Sequence, residues 1–465
     1  MILHGRNDTI TALSSPPGTG AIALIRISGP EAFSIAESIF QPAKKSAGRK
    51  EMIPGTVLFG TIIDDEAIVD EVLLSVFRAP RTFTGDDTVE ISCHGSPYIQ
   101  QRIISLVLRK GARLAEPGEF TLRAFLNGKM DLSQAEAVAD LIASDSEAAH
   151  RLAMQQMRGG FSSEIKKMRE KLIHFASLLE LELDFGEEDV EFANREELLK
   201  MTKDISVELR KLIDSFESGN VLKSGIPVVI AGKPNVGKST LLNLLVNEDR
   251  AIVSEIAGTT RDTIEEAVIL DGIKFRFIDT AGIRETNDAI EKIGVQKTWE
   301  KIHQSPVLIY LSDANDTTVN SLQQELKEIQ EQSSAQFRII PVVNKIDGKN
   351  IAHLINEFRT VENILFISAK EGTNLHELTS QLLKDVHSGI LKISDHTVTN
   401  ARHQHALTQT LLSLEEVEKG IRSGLTHDFI AGSLRIALHY LGEITGEISS
   451  DDLLANIFSK FCIGK

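Results

Sequence analysis

The sequence predicts a multidomain α/β protein: a mixed α+β domain comes first, and a helical domain follows that is interrupted by an α/β domain with a mostly parallel sheet. The length of 465 residues suggests about three domains. The spacing of apolar residues also changes along the chain, from strand-like runs to helical steps, then to alternating strands and helices, and back to helical steps. We expect four segments, at residues 1–122, 123–220, 221–384 and 385–465.

Residues 1–122 alternate short apolar runs with turns. The runs AIALIRI at 21–27, VLF at 57–59 and VLLSVF at 72–77 have the length and composition of strands. Proline and glycine separate them at 16–18 and 28–30, as expected of turns. These features predict a mixed α+β domain.

Residues 123–220 and 385–465 are predicted to be helical. In the first stretch, steps of four and three residues place six apolar side chains on one face of a long helix, with Lys166, Lys167 and Glu170 toward water. The six are Phe161, Ile165, Met168, Leu172, Phe175 and Leu179. Since 401–422 and 428–441 carry apolar residues at the same steps, the chain is expected to leave a helical bundle and later return to it.

Composition argues against several classes of protein. A formal net charge of −16 disfavours a protein that wraps nucleic acid by bulk electrostatics, although it leaves room for a local basic patch. No apolar run reaches the ~18 residues of a membrane span, and residues 1–7 lack the apolar core of a signal peptide. Cys93 and Cys462 have no CxxC partner, so we expect no disulfide framework or zinc site, and a cytoplasmic, reducing location.

The most specific motif is a phosphate-binding loop. GKPNVGKS at 232–239 fits GxxxxGK[ST], follows the apolar run IPVVIA at 226–231 and precedes TLLNLL at 240–245, which opens a helix. This order of strand, loop and helix is the context that the motif requires. Backbone amides would face the β-phosphate, Lys238 would reach the β- and γ-phosphates, and the Ser239 hydroxyl would ligate Mg²⁺.

A second predicted strand ends in DTAG at 279–282. Asp279 would hold Mg²⁺ from the outer shell, and the Gly282 amide would face the γ-phosphate. Between the two motifs lies GTTRD at 258–262, in which Thr260 is the better candidate for the second hydroxyl on Mg²⁺. The order of these elements predicts an inserted P-loop G domain of Ras-like fold.

Two later segments predict that the base is guanine. NKID at 344–347 follows an apolar run, and the carboxylate of Asp347 can accept both the N1–H and the 2-amino protons of guanine. Adenine lacks that pair of donors, so a buried charge would stay unpaired. SAK at 368–370 follows another apolar run and resembles the loop that contacts guanine O6.

The position after the DTAG glycine indicates an unusual route to hydrolysis. Ras-like enzymes place a water-orienting glutamine there, whereas this chain has Ile283. The amide oxygen of Asn235 and backbone carbonyls of 254–259 can form an oxygen cage, and a K⁺ ion in it would stabilise the transition-state charge. An equally good interpretation is that Asn235 only shapes the loop.

These motifs, with longer stretches outside the G domain, resemble the tRNA-modification GTPase family called MnmE or TrmE. The shared stretches include AIALIRISGPEA near the start, TFTGDDTVEISCHG at 82–95, PGEFTLRAFLNGKMDLSQAEAVADLI at 117–142 and FCIGK at 461–465. The resemblance implies an α+β, folate-binding-like and dimerising N-terminal domain, a helical middle domain and an inserted G domain. It implies K⁺-stimulated GTP hydrolysis in a homodimer that joins the flavoprotein MnmG in a heterotetramer. Together they add a carboxymethylaminomethyl group to C5 of the wobble uridine of tRNA, and the one-carbon unit comes from 5-formyltetrahydrofolate or a related folate.

The resemblance also implies site residues, position by position. Glu291 matches a glutamate that positions water, and Lys238 is its catalytic companion. The K⁺ ligands would be Asn235, Ser254, Ile256 and Thr259, and the Mg²⁺ ligands Ser239 and Thr260. Arg26, Glu90, Lys129 and Lys465 match the folate positions, although as residues they fit surface charge equally well. The predicted GTP-binding set is Asn235, Val236, Gly237, Lys238, Ser239, Thr240, Ser254, Glu255, Ile256, Ala257, Gly258, Thr259, Thr260, Asp279, Thr280, Ala281, Gly282, Asn344, Lys345, Asp347, Ser368, Ala369 and Lys370.

Other interpretations compete for parts of the chain. A ribosome-assembly switch would share the central motifs only, and residues 1–122 can be a dimerisation domain without folate. GTGAIA at 18–23 fits a dinucleotide pattern, but it precedes a predicted strand rather than a helix, so we reject it. Cys462 has basic neighbours, yet we expect it to be a packed cysteine rather than a catalytic thiol.

Overall fold

The computed structural model describes residues 8–43, 53–184, 194–248, 265–279, 305–332, 337–386 and 397–464. Contacts divide the chain into two compact units, the first formed by Met1–Ala139, Gln156–Ser206 and Gln409–Lys465, the second by Asp140–Gln155 and Val207–Thr408. Every helix within the described ranges is too short or too polar to span a bilayer.

The first unit contains a seven-stranded sheet. Its strands are β1 (Ile10–Leu13), β2 (Ile22–Ser28), β3 (Phe40–Pro42), β4 (Val57–Asp64), β5 (Ala67–Phe77), β6 (Thr88–His94) and β7 (Arg113–Leu114). They lie in the order β3-β4-β5-β6-β2-β1-β7, and only the β1–β7 pair is parallel. The three strands predicted at 21–27, 57–59 and 72–77 are present, and β4 extends well beyond its apolar start.

One face of this sheet is covered by helices α1 (Ala32–Ile39) and α2 (Pro97–Arg109). Period-two alternation decides which side chains are inside. In β5, Val72, Leu74 and Val76 are buried in the core with α1 and α2, whereas Leu73 and Phe77 are exposed on the opposite face.

The helical part of the first unit confirms the predicted long helix. Its helices are α3 (Glu119–Leu126), α4 (Leu132–Ala143), α5 (Glu147–Met157), α6 (Gly160–Asp184), α7 (Arg195–Ser224), α12 (Ala401–Arg422), α13 (His427–Thr445) and α14 (Asp451–Phe458), of which several continue into the second unit. Five of the six predicted core residues of α6 are buried, Phe175 is half-buried, and Lys166, Lys167 and Glu170 are exposed. Helix α6 packs against α13, so the helical residues after the α/β domain do rejoin those before it.

The second unit contains a six-stranded sheet in the order β13-β12-β11-β8-β10-β9. The strands are β8 (Ile226–Ala231), β9 (Glu265–Leu270), β10 (Ile273–Asp279), β11 (Val307–Asp313), β12 (Arg338–Asn344) and β13 (Leu365–Phe366). All pairs are parallel except the β9–β10 hairpin, which confirms the predicted mostly parallel sheet. Its helices are α8 (Lys238–Glu248), α9 (Val319–Gln332), α10 (Ile351–Glu357) and α11 (Leu375–Asp385).

The central strand β8 shows why this sheet needs helices on both faces. All of its residues are buried, and alternate residues enter two different cores: Val228 and Ile230 join one, Val229 and Ala231 the other. A continuous apolar run is the sequence signature of such a strand. The phosphate-binding motif begins at Gly232, directly after the carboxyl end of β8.

Candidate functional site

The loop between β8 and α8 has the backbone shape that the motif predicts. Gly232, Asn235 and Gly237 have φ values of +151°, +62° and +99°. A Cβ at Gly232 would lie 2.1 Å from the carbonyl oxygen of Leu311, and a Cβ at Gly237 would lie 2.4 Å from Nδ2 of Asn344. Both positions therefore require glycine, because neighbouring atoms occupy the space of a side chain.

Lys238 and Ser239 stand at the start of α8, where backbone N–H groups have no partner within the helix. The Lys238 ammonium donates to the carbonyl oxygens of Gly232 at 2.8 Å and Lys233 at 2.9 Å. The positive charge of Lys238 is thus held against the loop. Ser239, the next residue, is exposed. Lysine, hydroxyl and helix amides together form an anion site of the kind that binds nucleotide phosphates.

Asn344 joins the phosphate loop to the predicted base loop. It is 2% exposed, its Nδ2 donates to the carbonyl oxygen of Val236 at 2.8 Å, and its Oδ1 accepts from the amide of Ala369 at 2.9 Å. From the sequence, Asn344 was predicted to lie in the nucleotide site, but its bridge between the two loops was not predicted. One side chain therefore holds together the two loops that the sequence predicts to bind opposite ends of a nucleotide.

Asp347 and Lys345 flank the same loop. The Ser368 hydroxyl donates to Oδ1 of Asp347 at 2.5 Å, and Asp347 remains exposed, so its carboxylate is accessible to the N–H donors of a base. Lys345 has a φ of +63° and its ammonium lies 2.7 Å from Oδ2 of Asp313. That backbone conformation is disfavoured for a residue with a side chain, so the ion pair helps to hold it.

Asp313 is a residue of the candidate site that was not predicted from the sequence. Burial raises the pKa of its carboxyl, but hydrogen bonds and charge from Lys345, with the amide of Asn315, outweigh burial and leave the pKa below its usual value. The carboxylate is therefore charged when it anchors Lys345. Its position at the carboxyl end of β11, the edge at which open α/β sheets bind ligands, is a signal that could have found it.

Several predicted residues lie outside the described residues. They are the K⁺-cage and loop residues Ser254, Glu255, Ile256, Ala257, Gly258 and Thr259, the Mg²⁺ ligand Thr260, the DTAG residues Thr280, Ala281 and Gly282, the glutamate Glu291, and Lys465. Asp279 ends β10, but its side chain is not among those described.

In the first unit, Arg26 and Glu90 are directly opposite each other on β2 and β6. Nη2 of Arg26 lies 2.8 Å from Oε1 of Glu90, and only 14% and 21% of the two side chains are exposed. The guanidinium carbon is also 5.5 Å from the ring centroids of Phe83 and Phe120. The interpretation of this pair as surface charge is therefore wrong, since the pair is mostly buried against aromatic rings.

Lys129 and Gly464, the residue before Lys465, lie near the seven-stranded sheet that contains Arg26 and Glu90. The exposed ammonium of Lys129 donates to the carbonyl oxygen of Pro80 at 2.8 Å, in the segment that also carries Phe83. Gly464 contacts β1, which pairs with β2, and its carbonyl oxygen accepts from the Ser14 hydroxyl at 3.1 Å. The structure thus brings Arg26 and Glu90 into contact and ties Lys129 to a neighbouring loop.

The two cysteines have different environments. Burial, with the nearby charge of Asp70, raises the pKa of the Cys93 thiol to about 11, so Cys93 is a packing residue. Cys462 is exposed, and the expectation that it is packed is wrong. The sequence pattern failed there because the short helix α14 ends before Cys462, whose backbone carbonyl accepts a hydrogen bond from the amide of Gly118 while its side chain stays exposed. The dinucleotide pattern was correctly rejected, since Ile22 opens β2.

Comparison with known proteins assigns both parts of the chain. The profile of the "MnmE helical domain" matches residues 132–462, and that of the "GTP-binding protein TrmE N-terminus" matches residues 9–129. A tRNA modification GTPase MnmE from Christiangramia forsetii is 55% identical, over 99% of this chain and 99% of that protein. The chain belongs to the MnmE family of tRNA modification GTPases. The same-named protein of Flavobacterium psychrophilum is 54% identical over the full length of both chains.

Family membership confirms the predicted fold class and the prediction of a GTP-hydrolysing enzyme of tRNA modification. Because MnmE-family relatives match nearly the whole chain, the ribosome-assembly interpretation is wrong. A crystal structure of a variant of Aquifex aeolicus Era bound to GDP and AlF4⁻ is 28% identical, over 40% of this chain and 66% of that one, with a TM-score of 0.28, which supports no argument about this protein.

Proposed function

We propose that this GTPase hydrolyses GTP with K⁺ stimulation, and that the cycle drives addition of a carboxymethylaminomethyl group to C5 of wobble uridine in tRNA. It acts in the cytoplasm as a homodimer with the flavoprotein MnmG, and a folate supplies the one-carbon unit. The single observation that carries the nucleotide part is the Asn344 bridge between Val236 and Ala369. A loop for phosphates and an exposed carboxylate for guanine are thereby presented together.

The residues of the phosphate loop fit the ions that the proposal requires. Ser239 offers an exposed hydroxyl to Mg²⁺, an ion that prefers oxygen ligands. Asn235 is exposed in the loop, and its amide can supply one oxygen to K⁺. K⁺, when bound there, supplies the positive charge that an arginine supplies in related enzymes.

Rates in KCl and NaCl at equal ionic strength test the K⁺ proposal. We expect hydrolysis to be accelerated in KCl, and Asn235→Ala to lower the rate in KCl toward the rate in NaCl. Glu291→Ala should slow hydrolysis in both salts while leaving GDP affinity unchanged, because a residue that positions water acts on the step after binding. Equal wild-type rates in the two salts would remove K⁺ from the proposal.

The Arg26–Glu90 pair supports folate binding. A guanidinium and an ammonium suit the glutamate tail of a folate, and a carboxylate suits the N–H donors of a pterin ring. Phe83 and Phe120, which lie against Arg26, add apolar surface beside these groups. Titration with 5-formyltetrahydrofolate should show weaker binding by Arg26→Ala and Lys129→Ala. The matched control, Arg102→Ala, removes an arginine whose partner is Asp64. If the wild type does not bind the folate, residues 1–122 are a dimerisation domain only.

An exposed apolar sheet face supports the homodimer. Val57, Phe59 and Leu73 are 61%, 54% and 47% exposed, and the register of β4, β5, β6 and β2 places them on the same face as Arg26 and Glu90. Contiguous apolar patches of this kind usually mark an interface. A second copy of the chain covers this face in the proposed dimer.

Mass analysis of wobble uridines tests the reaction as a whole. Cells that lack this gene should accumulate tRNA without the C5 substituent, and the wild-type gene should restore it. A gene carrying Lys238→Ala should fail to restore it, because the variant lacks the group that contacts the β- and γ-phosphates. Normal modification in cells without the gene would contradict the proposed reaction.

A further inference from the structure

A cleft of about 400 Å³ opens in the helical part of the first unit, between the start of α4 and the residues that lead into and begin α6. Its walls carry three cationic side chains, Arg158, Lys166 and Lys167. The segment 158–171 contains five lysines and arginines but only two glutamates, in a chain whose net charge is −16. The cleft itself is lined by three cations and by the carboxylates of Asp131 and Glu170, so its net charge is positive on an acidic protein, and the proposed reaction does not yet use it.

One of the three cations is neutralised inside the cleft. Lys166 lies 3.3 Å from Oδ2 of Asp131, whose other oxygen accepts hydrogen bonds from the hydroxyls of Ser133 and Ser162. Asp131 is only 10% exposed, so this carboxylate is fixed in place and its charge is compensated.

The other two cations remain accessible to a ligand. Arg158 is exposed, and among the described residues its guanidinium has no ion-pair or hydrogen-bond partner. Lys167 lies 2.7 Å from Glu164, but its side chain is 61% exposed, and exposed pairs three residues apart contribute at most a few tenths of a kcal/mol. An anion that enters the cleft can therefore take Lys167 from Glu164 at little cost.

The remaining polar groups favour a phosphodiester over a free polyphosphate. Two accessible cations and the Ser163 hydroxyl suit a single phosphate charge with several acceptor oxygens. The carboxylate of Glu170, which also lines the cleft, repels a dense anion but can accept a hydrogen bond from a ribose 2′-hydroxyl beside the phosphate. This combination occurs in RNA.

We propose that this cleft, called here the Arg158 cleft, binds a backbone phosphodiester of the tRNA substrate through Arg158 and Lys167, with Glu170 next to a ribose hydroxyl. The inference rests on the proposed function, because the RNA is the tRNA that the enzyme modifies. It gives an acidic protein a defined place of contact with a polyanion.

The test measures binding of a fluorescently labelled, unmodified tRNA transcript to the full chain by anisotropy at several KCl concentrations. The double variant Arg158→Gln/Lys167→Gln should bind about tenfold more weakly at low salt. The slope of log affinity against log salt should become shallower by about 0.7 to 0.9, which is the contribution of the one phosphate contact that is lost.

The matched control is Lys203→Gln/Lys327→Gln, which removes the same charge from two exposed lysines outside the cleft. It should keep the wild-type slope, and GTP hydrolysis without tRNA should be equal in all three proteins. If the cleft variant binds tRNA with wild-type affinity and slope, or if the control loses as much, the inference is wrong. Loss of wobble modification by gene deletion tests the proposed function separately and does not depend on this cleft.

Discussion

Asn344 makes two hydrogen bonds with one buried side-chain amide in the proposed nucleotide site. Its partners are 108 residues before it, at the carbonyl of Val236, and 25 residues after it, at the amide of Ala369. Both partner groups belong to loops that must keep their shape when a nucleotide enters. A buried polar group without a partner is destabilising, so the bridge contributes to stability, in addition to its proposed part in nucleotide binding.

Asn344→Ala should weaken GDP binding by at least tenfold and lower the free energy of unfolding by about 1–3 kcal/mol, because it leaves a buried carbonyl and a buried amide without partners. Isothermal calorimetry and urea unfolding measure the two effects. Asn356→Ala, at an exposed position in α10, is the control and should change neither. GDP affinity equal to the wild type would show that the two loops hold their positions without Asn344.

A second cluster at residue scale joins Asp8, Arg113, Glu119 and Arg123. Oε1 of Glu119 lies 2.6 Å from Nη2 of Arg113 and 3.1 Å from Nη2 of Arg123, and both arginines also contact Asp8. Burial raises the pKa of Glu119, but the hydrogen bonds from Arg113 and the Glu116 amide, with the charges of both arginines, outweigh it and lower the pKa. For Asp8, burial is likewise outweighed by Arg113 and Arg123, so its pKa is lowered too.

A lowered carboxyl pKa gives a stabilisation that is fully present above the unfolded-state pKa and is lost as the pH falls through the folded-state pKa. Protection of α3 amides from hydrogen exchange, corrected for intrinsic rates, should therefore be constant near neutral pH and fall below about pH 4. Glu119→Gln should reduce protection at pH 7 by about 2 kcal/mol and flatten the acid dependence. Glu331→Gln, at an exposed pair, is the control; an unchanged profile in Glu119→Gln would contradict this account.

At the scale of elements, the turn of the β9–β10 hairpin packs against the start of α5. The amide of Ala148 donates to the carbonyl oxygen of Gly272 at 3.0 Å, and the ammonium of Lys274 lies 2.5 Å from Oδ2 of Asp145. Hence residues 140–155 share a compact unit with the α/β sheet. The two strands of this hairpin connect to the segments that carry Thr260 and DTAG, so the contact lies close in sequence to the γ-phosphate motifs.

Gly272→Ala tests this contact against a matched glycine. Gly272 and Gly424 have φ values of +74° and +67°, but a Cβ at Gly272 would lie 3.0 Å from Cβ of Glu147, whereas nothing lies within 4 Å of one at Gly424. Both substitutions should cost about 1 kcal/mol of backbone strain, and only Gly272→Ala should also speed hydrogen exchange in α5. Equal exchange in α5 of both variants would show that the hairpin does not restrain the helix.

The elements were predictable where their signals are local. The apolar run of β8, the glycines of the loop and the helical steps of α6 each determine a nearby conformation, and the structure confirms them. The bridge from Asn344 to Val236 and the contact of Gly272 with residues 147–148 join distant segments, and no local pattern encodes such pairs. Cys462 was misjudged for a similar reason, because its exposure depends on where the chain leaves α14.

At the scale of the whole molecule, the exposed face of the N-terminal sheet gives a test of assembly. Phe59→Glu/Leu73→Glu places two charges on directly opposite residues of β4 and β5, so burial against a second copy would become strongly unfavourable. Sedimentation velocity should show a dimer for the wild type and a monomer for the double variant. Ile355→Glu, at an exposed site in α10, should remain dimeric; a double variant that sediments as a dimer would place the interface elsewhere.

The contact between Ser14 and Gly464 has a consequence for synthesis in the cell. The two residues are 450 positions apart, and Gly464 fits so closely that a Cβ would lie 2.1 Å from the carbonyl oxygen of Leu13. At the usual rate of translation, about 5–20 residues per second, Gly464 is synthesised roughly 20 to 90 s after β1. The G domain can fold in that interval. The strand β1, which is synthesised first, is therefore among the last elements to acquire all of its contacts.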